Sequence, residues 1–131
     1  MLKLYTDAAN RPADGLSAAG ILIVDGAKTI ERSLPLPNSD NHAAEFAAAT
    51  AGMQILLELG YKGQNVELIS DSQVLIDALN KDYSKQYADL LAPIVDLAEN
   101  FPMVIPTWQN ERVNHRAHDL ATAALHRREE D

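Results

Sequence analysis

The stretch Asn41–Gly60, NHAAEFAAATAGMQILLELG, constrains this chain more than any other. Wound as a helix at roughly 100° per residue, it places Ala48, Ala49, Gly52, Ile55, Leu56 and Leu59 on one face. Thr50, Gln54 and Glu58 fall opposite, so the pattern predicts an amphipathic helix that docks by its small, apolar side. Glu45 lies at the head of that side. A carboxylate stripped of water there is costly unless something positive meets it, and the stretch contains no lysine or arginine. Three readings stay open for Glu45: it is protonated with a raised pKa, paired from elsewhere in the chain, or a metal ligand.

The segments around this helix suggest what it docks against. Leu2, Leu4 and Thr6 alternate with Lys3, Tyr5 and Asp7, a strand pattern that ends in acid. Asn10–Gly15 reads as a turn, and Ala18–Asp25 as a mostly buried strand. Asp25-Gly26 is the strongest hairpin signal in the chain, and Lys28–Leu34 returns as a third strand, finished by Pro35 and Pro37. Asp40 or Asn41 is available to cap the helix. Val66–Ser70 is a fourth strand, and Asp71 or Ser72 caps a short helix through Asn80. Tyr87, Leu90, Leu91, Ile94, Ala98 and Phe101 recur at helical spacing, with Pro93 predicting a kink or two consecutive helices. Met103–Trp108 is the fifth strand, with Trp108 expected in the core. A last helix follows from about Asn114 to Arg128, and the charged end HRREED is expected to fray.

Hairpins demand antiparallel pairing, whereas strand–helix–strand units favour parallel additions with right-handed crossovers. The expected fold is α/β: a mixed five-stranded sheet, three antiparallel strands and then parallel additions, flanked by helices. At 131 residues the chain is read as one domain, 1–131. No apolar run approaches a membrane span, and Asp7 comes too early for a signal peptide, so a cytoplasmic location is expected. The absence of cysteine excludes disulfides and thiolate chemistry. A formal net charge of -8 excludes a protein that grips nucleic acid by bulk charge. A nucleic-acid role would need a local basic surface, or cations neutralising a carboxylate cluster.

Asp7 and Asp71 each end a predicted strand, where ligand crevices form in open sheets with parallel central strands. Taken singly, Asp7 reads as a solvated strand end and Asp71 as a helix cap. With strands one and four as neighbours the two lie side by side, and Glu45 reaches the same point. Three carboxylates brought together raise one another's pKa unless cations intervene. Oxygen-only ligands suit Mg2+ or Mn2+, and a pair of such ions can clamp the attacking water and leaving oxygen of a phosphodiester.

The segments YTDAA (5–9), NHAAEFAAATAGMQIL (41–56), ISDSQVLIDAL (69–79) and NHRAHDLATAAL (114–125) together resemble type 1 ribonuclease H. The resemblance is to its compact prokaryotic branch, similar to the ribonuclease H domains of reverse transcriptases, and spans nearly the whole chain. It implies an endoribonuclease that hydrolyses the RNA strand of RNA–DNA hybrids with two Mg2+ or Mn2+ ions on an Asp-Glu-Asp-Asp cluster. Asp7, Glu45 and Asp71 match the first three members as catalytic and metal-binding residues. By the same resemblance Asn41, Ser72 and Gln73 stand where the hybrid's backbone and sugars are contacted; as helix-cap and first-turn residues they have an equally good structural reading. The larger relatives' basic, tryptophan-bearing insertion is short here, with only Lys81 and Lys85, which implies weak substrate affinity.

The fourth position departs from the family. Asn114, Ala117, Leu120 and Ala121 match its pattern, and the catalytic place falls on His118 instead of aspartate. Helical geometry supports that register: Asp119 falls roughly 170° from the centre of the last helix's apolar stripe, whereas His118 lies roughly 90° away, at its edge. A neutral imidazole is a legitimate metal ligand. His118 is thus expected to hold the second metal, more weakly than an anion, with a tilt toward Mn2+ and a more pH-sensitive activity. His115 faces away from the stripe, and His42 and His126 suggest no chemistry. Two alternatives accompany this reading: a nucleic-acid-binding module of the same fold with attenuated cleavage, and a nuclease of that fold acting on another nucleic-acid structure. Oligomeric state is not readable.

Overall fold

In the computed structural model, which describes residues 1–130, the hairpin signal at Asp25-Gly26 sets the first half of the fold. Strands β1 (Leu2–Arg11), β2 (Leu16–Asp25) and β3 (Lys28–Leu36) form an antiparallel meander. Gly26 supplies the positive φ of 59° that the two-residue turn between Asp25 and Lys28 requires. Helix α1 (Asn41–Glu58) crosses the sheet and returns the chain to β4 (Val66–Ser70), which pairs parallel with β1. Helices α2 (Gln73–Lys81) and α3 (Ala88–Ala98) lead to β5 (Val104–Trp108), parallel to β4, and α4 (His115–Glu129) closes the fold. The sheet order is β3-β2-β1-β4-β5. The mixed five-stranded sheet, its antiparallel and parallel halves and its helices agree with the sequence expectation.

The period-two alternation of β2 divides its side chains between two layers. Ala19, Ile21 and Ile23 join Leu4, Phe46, Met53, Leu56, Leu68 and Ile94 in the main core beneath α1, while Ala18 packs with Ala124 and Leu125 of α4 on the opposite face. The small residues of α1 allow close approach: a Cβ at Gly52 would come within 2.9 Å of Thr6 Cγ2.

Several local expectations are corrected. β1 continues through Asn10 and Arg11, which pair with Ser17 and Leu16, so Asp7 sits inside the strand. Its pairing with β4 nevertheless ends at Tyr5–Ile69, leaving Asp7 just beyond the last parallel rung. Pro35 lies within β3, opposite Ala18, because an edge strand has one side where the missing N–H is not needed. The buried surface of α1 is wider than a single stripe. It takes in Ala43, Ala44, Phe46, Ala51 and Met53, whereas Ile55 is only half-buried and Leu59, past the helix end, is exposed. α3 packs on α1, and Phe46 stacks on Tyr87 at the head of α3, 5.2 Å between ring centroids. Pro93 lies within one helix rather than between two; it is exposed, so solvent can satisfy the carbonyl that proline leaves free.

Trp108 is not a core residue: it is 46% exposed at the end of an edge strand, and its indole Nε1 donates to the backbone oxygen of Asp71 at 3.1 Å. The charged end does not fray at His126. α4 continues to Glu129, and Arg128 Nη1 donates to the backbone oxygens of Ser17 and Leu36, each at 2.6 Å. Asp131 lies outside the described residues. Among the described residues no helix is long and apolar enough to cross a membrane.

Candidate active site

Three backbone arrangements bring the acids together. Asp7 lies where β1 outruns β4, and Asp71 follows Ser70, the last residue of β4. Asp40 caps α1, its Oδ1 accepting from Ala43 N at 2.8 Å, which places Glu45 one turn into the helix. One carboxylate oxygen from each of Asp7, Glu45 and Asp71 lies within 4.8 Å of the others. They share a crevice of about 360 Å³ that Asn41, Ser72, Gln73 and His118 also line.

Burial governs the electrostatics. Asp7 is 3% and Glu45 7% exposed, and neither is within ion-pair distance of a lysine or arginine among the described residues. Desolvation first, and the Asp7 and Asp71 charges second, push Glu45 up to about 9. Asp7 is raised to about 7 by burial and by Asp71, against the opposing hydrogen bond and charge of His118. Burial works against a charged His118, yet the hydrogen bond and charge of Asp7, with Glu111 and Asp71, hold its pKa above the ordinary histidine value. Protons stabilise this carboxylate set, and a divalent cation would do so more strongly. The donors are hard oxygens, the class that suits Mg2+ or Mn2+, so the residues present fit such ions.

Each residue singled out from the sequence has a definite place. His118 Nδ1 lies 2.9 Å from Asp7 Oδ2, on the wall of the same crevice. Asp119 instead pairs with exposed His115, Oδ2 to Nε2 at 3.1 Å, away from the crevice. Ser72 caps α2, its Oγ accepting from Leu75 N at 3.2 Å, and is buried, whereas Asn41 and Gln73 are exposed on the crevice wall. Asn114 is buried and donates from Nδ2 to the backbone oxygen of Thr6 at 2.9 Å. That bond clamps the start of α4 to the strand residue next to Asp7.

Two polar lining residues, besides the apolar Ala8 and Val74, lie outside the sequence reading of the site. His42, set aside in the sequence, is an exposed residue of the crevice wall in an edge-type contact with Tyr87, 6.1 Å between ring centroids. Glu111 lies between β5 and α4, its Oε1 3.4 Å from His118 Nε2. No spacing rule signals Glu111, because the fold of a turn, not a helix or strand period, aims it.

Similarity to known proteins agrees with this geometry. Residues 5–124 match the family described as reverse transcriptase-like. Over 127 residues the chain is 32% identical to a protein of Enterococcus faecalis named "Putative hydrolase EbsB", covering 95% of this chain and 94% of that one. The crystal structure of RNase H1 from the halophilic archaeon Halobacterium salinarum superposes with a TM-score of 0.85 at 26% identity, covering 95% and 96% of the two chains. LC11-RNase H1, solved in complex with an RNA/DNA hybrid, shares the fold at a TM-score of 0.87 and 22% identity, covering 97% and 98%. The chain therefore belongs to the reverse transcriptase-like family, in its compact, ribonuclease H1-like form.

Proposed function

We propose that this protein is a ribonuclease H, an endoribonuclease that hydrolyses the RNA strand of RNA–DNA hybrids in the cytoplasm with two divalent cations, Mg2+ or Mn2+. The observation that carries this reading is the convergence of Asp7, Glu45 and Asp71 to within 4.8 Å in one crevice, at the price of burying two carboxylates that have no guanidinium or ammonium partner among the described residues. Membership of a ribonuclease H1-like family supports the same chemistry.

Cations held by Asp7, Glu45, Asp71 and His118 would supply Lewis acidity and a low-pKa water for in-line attack on the scissile phosphate. The chain's own residues do the rest. Asp7, in the centre of the group, faces both Asp71 and His118. Glu45, carried one turn into α1, would in this reading also approach a substrate sugar. Ser72, Asn41 and Gln73 offer hydroxyl and amide groups along the wall where a 2′-hydroxyl would be read. With a net charge of -8, affinity for the hybrid comes from local polar contacts and bound cations, not from the overall field.

The test is a labelled RNA–DNA hybrid incubated with Mg2+ or Mn2+, beside the Asp71→Asn variant. Cleavage of the RNA strand, yielding 5′-phosphate and 3′-hydroxyl ends and abolished in the variant, is the expected result. No cleavage with either metal would sink the enzyme reading, and equal cleavage of duplex RNA or DNA would sink the hybrid assignment. One observation favours a binding module with attenuated cleavage: the fourth place is an imidazole whose Nδ1 faces Asp7 at 2.9 Å. Hybrid binding without cleavage is what that reading requires.

A further inference from the structure

The turn between β5 and α4 is fixed at three points. Gln109 N donates to Ser70 O at 3.0 Å, fastening its start beside Asp71. Asn110 Oδ1 accepts from Val113 N at 3.1 Å, and Asn110 O accepts from Asn114 N at 3.1 Å, tightening the middle. Asn114 then anchors its end to Thr6. Between these anchors the chain presents Glu111 on the wall of the acidic crevice. Its only ion-pair neighbour among the described residues is His118, at 3.4 Å, on the nitrogen opposite the one that meets Asp7.

This arrangement has an electrostatic consequence. An aspartate at position 118 would give the centre four carboxylates; histidine leaves three and removes one negative charge. Glu111 brings the count back to four from a different element, and it does so on the His118 side of the crevice. A solvent-facing glutamate gains little from a crevice already lined by Asp7, Glu45 and Asp71, whose charges repel it. Multivalent cations reverse that sign.

Resting on the metal-dependent reading above, we propose that Glu111 is a metal-binding residue of this protein: it supplies to the second divalent cation the carboxylate that position 118 lacks, with His118 as its co-ligand. The anchored turn holds it in place, so the site has its full acidic complement without a helix-borne fourth aspartate.

Calorimetric titration of Mn2+ into the full chain tests this, comparing wild type with Glu111→Gln, Glu111→Asp and the exposed control Asp119→Asn. Wild type and Asp119→Asn are expected to bind two ions. Glu111→Gln is expected to keep the first and bind the second about 10- to 100-fold more weakly, with Glu111→Asp in between. A hybrid-cleavage assay alongside should show the Glu111→Gln defect shrinking as Mn2+ is raised. Two-ion binding by Glu111→Gln with unchanged affinities would overturn the proposal, as would a wild type that binds fewer than two ions. Failure of the ribonuclease reading looks different: wild type binds two ions, Glu111→Gln loses the second, and the hybrid stays intact.

Discussion

His118 Nδ1 meets Asp7 Oδ2 at 2.9 Å, joining the last helix to the first strand at the one point where both border the acidic crevice. Asp119, the neighbouring acid, turns outward to His115. The two positions therefore give opposite mutational signatures. His118→Ala is expected to lower metal-dependent hybrid cleavage at least about tenfold, and Asp119→Ala to leave it within about twofold, as for a surface change away from any special feature. Steady-state rates at saturating Mn2+ check this; the reverse pattern would move the fourth position to Asp119.

Stability of the metal-free protein should fall as pH rises through neutrality. Glu45 is raised to about 9, Asp7 to about 7, and His118 also lies above its ordinary value. Each group binds its proton more tightly folded than unfolded, so its contribution is complete below the unfolded pKa and lost as pH climbs through the folded one. For Asp7 that window runs from 3.8 to about 7 and for Glu45 from 4.5 to about 9, at about 1.4 kcal/mol per pH unit for each full proton of difference. Asp14, held at about 2 by Arg11, and Glu31, lowered by Arg116, have the opposite sign, but their losses come below about pH 4. Thermal melts in chelator should thus give a higher Tm at pH 5 than at pH 8.5. Glu45→Gln should flatten the difference and divalent cation should remove it. A metal-free Tm that rises over the same interval would refute the assignment of raised pKa values to these buried acids.

How much of this centre could be read from the chain alone follows from the kind of signal each residue carries. Asp7, Asp71 and Glu45 are tied to strand and helix periods, so their convergence needed only the right sheet order. Asp7 was misplaced locally, since the β2 partner that carries β1 on to Arg11 is invisible in an Asn-Arg-Pro turn signal. The burial of α1 was underestimated because amphipathic reasoning counts one docking face, and α3 supplies a second. Trp108 reads as core from its place on the fifth strand, yet at the end of that edge strand it is exposed. Glu111 depends on a turn closed by Asn110, a pattern with no period to read.

The approach of α4 to the sheet can be tested at Gly20. A Cβ there would collide with the Ala117 carbonyl oxygen and the Ala121 amide nitrogen, both backbone atoms that cannot rotate away. Gly20→Ala should therefore push α4 off β2 and cost about 1–3 kcal/mol or more, read as a lower midpoint in urea. Because His118 rides on the same helix, activity should fall further than stability alone explains under conditions where the variant remains folded. A Gly20→Ala protein as stable and as active as wild type would show that the helix is free to shift.

Ser72 and Gln73 separate a structural duty from a substrate duty. The Ser72 hydroxyl accepts from Leu75 N and is buried, so Ser72→Ala should cost about 1 kcal/mol of stability through loss of the α2 cap. Gln73 is exposed on the crevice wall, and removing its amide leaves no buried group unsatisfied. Gln73→Ala should keep the wild-type Tm while raising KM for the hybrid and leaving kcat nearly unchanged, the pattern of lost uniform binding. If Gln73→Ala instead lowers Tm and leaves KM untouched, the residue belongs to the helix end and the hybrid lies elsewhere on the crevice wall.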